Sequence, residues 1–110
     1  MTDVDWVRLA PSTALPRGTA VNVDIDGEQV ALFHSDDGFH ALAEACPHMG
    51  APLSQGEIHG GQVKCPWHGW RYDLATGMRQ DRRGQPARVY PVAVHDGWLS
   101  LGLPRRKEPA

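Results

Sequence analysis

The chain has only two cysteines, no apolar run approaching the roughly 18 residues of a membrane-spanning helix, and no basic cluster larger than Arg105-Arg106-Lys107. Each scarcity removes a class of function. Two cysteines in a reducing compartment point to metal ligands or redox groups rather than a structural disulfide. The missing apolar run argues against a membrane partner, and the short basic tail against a nucleic acid. The opening Met1-Thr2-Asp3-Val4-Asp5-Trp6 has neither the basic residues nor the apolar run of a signal peptide, so the expected location is the cytoplasm. Helical periodicity, internal repeats and low-complexity segments are also missing. At 110 residues the expectation is a single domain, residues 1–110, with no room for a separate catalytic domain.

What is present is a rhythm of short strands and glycine turns, which predicts an all-β domain. Val21-Asn22-Val23-Asp24-Ile25 alternates apolar and polar residues, Asp26-Gly27 is a two-residue hairpin signal, and Gln29 to Phe33 returns as the partner strand. Asp36-Asp37-Gly38 turns the chain into Phe39 to Ala43. Near the other end, Val89 to Val94, the Asp96-Gly97 turn and Trp98 to Leu101 predict another hairpin, with Pro91 best placed on an edge strand. Between these flanks, residues 44–78 are rich in Gly and Pro and read as a subdomain inserted into a base made of residues 4–43 and 79–103. Within it, Ile58, Gly60-Gly61 and Val63 suggest a small hairpin that delivers Cys65. Residues 79–88 are charged and read as a surface loop; residues 104–110 read as a frayed tail. Trp6 and Trp98 are expected in the core.

The net charge of −2 conceals an asymmetry, since residues 1–57 carry −7 and residues 58–110 carry +5. Such a dipole could orient a docking partner, or folding could interleave the halves and cancel it. Arg71, Arg79, Arg82 and Arg83 either help dock an acidic partner or form a solvated loop.

Both cysteines fall in short loops that also carry histidine: Cys46-Pro47-His48-Met49-Gly50 and Cys65-Pro66-Trp67-His68-Gly69-Trp70. Cys-x-His, a gap of 16 residues and Cys-x-x-His give two thiolates and two imidazoles, a set that suits zinc or an iron–sulfur cluster. Proline after each cysteine and the nearby glycines make the loops tight, with backbone N–H groups able to turn towards sulfur. His34, His40, His59 and His95 lack a neighbouring cysteine and are read as surface or hairpin packing.

With Pro52-Leu53 after the first loop, Tyr72-Asp73 and Thr76-Gly77 after the second, and the closing Tyr90-Pro91-Val92, these boxes resemble those of Rieske ferredoxins over nearly the whole chain. The resemblance implies three small antiparallel sheets and one [2Fe-2S] cluster, Cys46 and Cys65 on one iron and His48 and His68 on the other. It places Met49, Gly50, Trp67, Gly69, Trp70 and Tyr72 around the cluster, Trp67 and Trp70 shielding it from water and Tyr72 bonding a cysteine sulfur. Two thiolates make the oxidised cluster neutral and the reduced one −1, so electron uptake is easier than with four thiolates. The added electron is expected on the histidine-bound iron. The extra disulfide cysteines and the serine donor of quinol-oxidising relatives have no counterpart; Met49 and Trp67 carry no thiol, and Trp70 stands where the serine would. A potential towards the lower end of the roughly −150 to +300 mV Rieske range follows.

The implied function is one-electron carriage, without catalysis by the chain itself, from a flavin reductase to the terminal oxygenase of a ring-hydroxylating system. The chain also resembles the small subunit of assimilatory NAD(P)H nitrite reductase, whose partner would be the large subunit. A zinc-stabilised binding module is a third reading, and it predicts a colourless protein.

Overall fold

The computed structural model describes residues 4–47, 50–67, 69–81 and 84–104. Its strands are β1 (Val4–Pro11), β2 (Ala20–Ile25), β3 (Glu28–Ser35), β4 (Gly38–Ala43), β5 (Glu57–His59), β6 (Gln62–Lys64), β7 (Arg71–Asp73), β8 (Val89–Tyr90), β9 (Val92–His95) and β10 (Trp98–Pro104). They form three antiparallel sheets, in the orders β1-β10-β9, β2-β3-β4-β8 and β5-β6-β7. The Asp-Gly signals act as expected: Asp26 and Gly27 have φ of 53° and 88°, and Asp96 and Gly97 have 52° and 78°. Two successive left-handed residues give a turn whose twist matches that of the strands it joins.

β3 explains why the middle sheet is buried on both faces. Its Val30-Ala31-Leu32-Phe33 run shows no polar alternation because every position meets a core, all at 3% exposure or less. Val30 and Leu32 pack with Leu15, Ala41, Tyr90, Leu99 and Leu101 on one side. Ala31 and Phe33 pack on the other with Leu42, Leu53, Val63, Tyr72, Leu74, Cys46 and Cys65. Phe33 alone contributes about 2–3 kcal/mol by leaving water. The second of these cores therefore sets the floor on which both cysteine loops stand.

Several expectations need correction. Val89 to Val94 is not one strand, because Pro91 interrupts it: β8 pairs with β4 and β9 with β10, so the chain changes sheets there. Proline has no N–H to give a ladder, and here its carbonyl receives the Gly102 N–H at 2.8 Å. Trp6 and Trp98 are not core residues. They are 51% and 39% exposed, on the face of β1 and β10 opposite to Leu99 and Leu101, with the Arg8 guanidinium 5.4 Å from the Trp98 ring centroid. Residues 79–88 are not simply a surface loop, since Ala87 is buried and Arg79 bridges to Tyr72. Pro104, expected in the frayed tail, instead pairs with Val4; residues 105–110 lie outside the described residues. β1 and β7 were not anticipated as strands. The acidic and basic halves are woven together by β1 against β10 and β4 against β8.

Candidate metal centre

Each cysteine heads a loop closed by the same pair of backbone hydrogen bonds. In the first, the Cys46 N–H donates to Ala51 O and the Gly50 N–H to Cys46 O, both at 2.8 Å. In the second, the Cys65 N–H donates to Trp70 O at 2.7 Å and the Gly69 N–H to Cys65 O at 2.9 Å. The glycines share a φ of 74°, a conformation that costs other L-residues about 1–2 kcal/mol. Counted from cysteine, the two frames are equivalent. Histidine is the third residue of one loop and the fourth of the other; His48 and His68, like Met49, lie outside the described residues.

The loops are anchored differently. The first leaves β4 and is pinched at its base by the Ala45–Pro52 bridge and a 2.8 Å bond from Leu53 N–H to Glu44 O. The Glu44 carboxylate also accepts from the Ser54 N–H at 2.9 Å and the Ser54 hydroxyl at 2.7 Å. The second is the connection between β6 and β7, closed where Lys64 pairs with Arg71. Both cysteines are thiols, 2% and 1% exposed.

Tyr72 joins the two loops. It sits on β7, at the exit of the second, yet its hydroxyl lies 3.4 Å from Cys46 Sγ in the first. Burial pushes its phenol well above the ordinary range, helped by the neighbouring Cys46 sulfur, while the Arg79 cation acts in the opposite sense. It is thus a hydrogen-bond donor at neutral pH, and a thiolate at Cys46 would be its acceptor. Two buried sulfurs in one core, with a tyrosine hydroxyl beside one of them, suit a sulfur-ligated metal group. Tyr72→Phe is expected to lower the reduction potential of the loaded protein. A differential hydrogen bond of about 1–2 kcal/mol corresponds to roughly 40–90 mV for one electron, measurable by voltammetry; an unchanged midpoint would show that the bond does not reach the ligating sulfur.

The tryptophans divide their expected task. Trp70 is partly buried against the core containing both cysteines, with the Arg79 guanidinium 4.0 Å from its ring centroid. Trp67 is 58% exposed and so presents its ring to solvent. The other histidines pack locally: His34 Nδ1 is 2.7 Å from Leu15 O and stacks on Phe39, His40 meets Asp37, His59 meets Glu57 and His95 lies beside Asp96. Among the described residues no three His, Cys, Asp or Glu side chains converge. No helix in the described residues is long and apolar enough to cross a membrane. Arg79 was grouped with Arg71, Arg82 and Arg83 as a docking cation or part of a solvated loop; its stacking on Trp70 was not anticipated, because nothing in its sequence context distinguishes it from Arg82 or Arg83, which lie outside the described residues.

Two equivalent thiol loops held over one apolar core define a metal-binding β-domain. The chain belongs to the Rieske [2Fe-2S] domain family, whose model matches residues 5–93. Membership implies a [2Fe-2S] cluster as the resident group. The chain is 32% identical over 100 residues to the ferredoxin component of the naphthalene 1,2-dioxygenase/salicylate 5-hydroxylase systems of Ralstonia sp, covering 90% of this chain and 96% of that one. Among solved structures, a Mycobacterium tuberculosis protein described as an NADH-dependent nitrite reductase small subunit superposes with a TM-score of 0.84 at 30% identity, covering 91% of this chain and 96% of its own. The ferredoxin of carbazole 1,9a-dioxygenase from Nocardioides aromaticivorans IC177 gives 0.81 at 30% identity, covering 91% and 98%. Apoptosis-inducing factor 3 of Homo sapiens and Mus musculus is 40% identical over 70 residues, 64% of this chain, which spans only 12% of those longer proteins.

Proposed function

We propose that the chain is a cytoplasmic one-electron carrier in which Cys46, His48, Cys65 and His68 hold the cluster, passing electrons from a flavin reductase to a terminal oxygenase. Residues 44–78 would be the cluster-binding part and residues 4–43 and 79–103 the base. The observation that carries this reading is the pair of equivalent loops, each with a buried thiol in one core and a histidine in its sequence. The match to a ferredoxin component over 96% of that protein's length supports it. When bound, the cluster supplies a one-electron couple, neutral when oxidised and −1 when reduced, with a potential raised by imidazole ligation. The chain's own residues would shape that couple: Tyr72 would donate towards a Cys46 thiolate, Gly50 and Gly69 close the loops, and Trp70 packs against the core that holds both cysteines.

Visible absorption and EPR before and after dithionite test this directly. A red-brown protein whose reduced signal has the low average g of mixed His/Cys ligation is expected; a colourless protein with stoichiometric zinc after anaerobic reconstitution would overturn it. His68→Cys, if it assembles a cluster, is expected to lower the midpoint because it restores a negative ligand. An unchanged value would contradict the charge count. With no serine donor beside the second loop, the wild-type midpoint belongs in the lower part of the roughly −150 to +300 mV range, and voltammetry giving a value above about +100 mV would refute that.

The TM-score of 0.84 favours a second reading, the small subunit of a nitrite reductase. Copurification separates the two, since a carrier elutes as a small species and a subunit brings down a large flavin or sirohaem protein.

A further inference from the structure

Arg79 is the one cation of the described residues that stacks on a side chain of the cysteine core, and its surroundings are unusual for an arginine in a polar segment. Its side chain is only 13% exposed. The guanidinium lies 4.0 Å from the Trp70 centroid. Its backbone bridges to Tyr72, whose hydroxyl meets Cys46 Sγ. Arg79 also lines a hollow of about 160 Å³ together with Pro47 of the first loop, Tyr72, Gly84 and Gln85. The residue therefore touches Trp70 at the end of one loop and shares a cavity with the residue following Cys46 in the other. Asp81 holds it in a two-point ion pair, Nε to Oδ1 at 2.6 Å and Nη2 to Oδ2 at 3.0 Å. Asp81 is 52% exposed.

Those exposures are unequal, and the inequality decides the sign of the field. Water screens the carboxylate more than the guanidinium, so the pair is not neutral as seen from the buried sulfurs. Reduction adds one electron to the site; no bond forms or breaks, and the local charge falls by one. A fixed cation nearby stabilises the reduced state, and a fixed anion opposes it. We propose that Arg79 and Asp81 are a pair of opposed positioning and electrostatic residues that set the reduction potential, Arg79 raising it and Asp81 trimming that effect. This rests on the proposed cluster at Cys46, His48, Cys65 and His68.

The experiment is voltammetry of the loaded full chain, preceded by EPR of each sample. Arg79→Gln is expected to lower the midpoint, Asp81→Asn to raise it, and Arg79→Lys, which keeps the charge, to lie closer to the wild type than Arg79→Gln. A purely structural role predicts that Arg79→Gln and Asp81→Asn shift the midpoint in the same direction, or not at all, and that Arg79→Lys is no better than Arg79→Gln; any of these overturns the proposal. If Arg79→Gln fails to load, Asp81→Asn decides alone, a rise supporting the proposal and a fall or no change refuting it. A wild-type protein without the mixed-ligand EPR signal would instead fail the underlying assignment, a result distinct from a normal signal with unmoved potentials.

Discussion

Gly77→Ala is expected to destabilise the domain by about 2–5 kcal/mol, enough to leave a substantial part of the population unfolded. Two penalties act at this position together. Gly77 has a φ of 76°, which costs a residue with a Cβ about 1–2 kcal/mol. The added methyl would also fall well inside contact distance of the Ala87 carbonyl oxygen and 3.0 Å from Val89 Cγ2. Those neighbours have little freedom, since the Gly77 N–H is bonded to Asp73 O and the Ala87 N–H to Gly77 O, both at 2.7 Å. Relieving the overlap means breaking one of these bonds or displacing β8, adding about 1–3 kcal/mol. The comparison with other glycines isolates the terms. Gly50→Ala meets nothing within 4 Å among the described residues at a φ of 74°, so it should cost little beyond the dihedral penalty of about 1–2 kcal/mol. Gly56→Ala has no dihedral penalty, yet its methyl would collide with Lys64 O and lie 2.9 Å from Val63 Cγ2, directly behind the strand that leads to Cys65. Urea denaturation of the three variants checks the order. A Gly77→Ala loss below about 1 kcal/mol would mean that Gly77 is not held against Ala87 and Val89.

The same glycine marks the boundary of what was legible in the sequence. Local signals were read correctly where chemistry and geometry coincide within a few residues. Asp26-Gly27 and Asp96-Gly97 turn as their composition requires, and the Gly60-Gly61 hairpin does deliver Cys65. The loop motifs were legible for the same reason, because cysteine, proline and glycine spacing alone fixes the backbone frame. What failed involved partners distant in sequence. Trp6 and Trp98 looked like core because they are large and apolar, but the inner face of their sheet is filled by Leu99 and Leu101, and alternation sends the tryptophans outward. Pro91 was expected on an edge strand but lies between two, β8 and β9; that its position divides one apolar run between two sheets depends on where β4 and β10 lie. Arg79 looked like one more cation of a charged segment; only the β7 bridge brings it to Trp70.

Replacing either cysteine should abolish cluster binding. Cys65→Ser is expected to give a colourless protein, its iron content falling from two per chain towards none and the reduced EPR signal disappearing. A serine hydroxyl does not ionise near neutral pH as a metal-bound thiol does, so the site loses a negative, polarisable ligand. Stability should fall with it, because a group that binds only the folded chain stabilises it by its binding free energy, about 4 kcal/mol for a ligand held at a thousand times its dissociation constant. Part of the loss would have another origin. Cys65 is 1% exposed, and a hydroxyl put in place of its sulfur must leave water, at a cost set by the hydrogen bonds it makes there. Cys65→Ala separates these contributions, since a methyl incurs no such polar penalty while the ligand is still missing. At Cys46 the Tyr72 hydroxyl lies 3.4 Å from the sulfur and offers a serine side chain a hydrogen-bonding partner. Cluster-free Cys46→Ser should therefore be at least as stable as Cys46→Ala. Iron analysis, EPR and thermal melting of the four variants check both parts. Retention of colour and signal in Cys65→Ser would contradict its place among the ligands, and a cluster-free Cys46→Ser clearly less stable than Cys46→Ala would show that Tyr72 does not serve the Cys46 site.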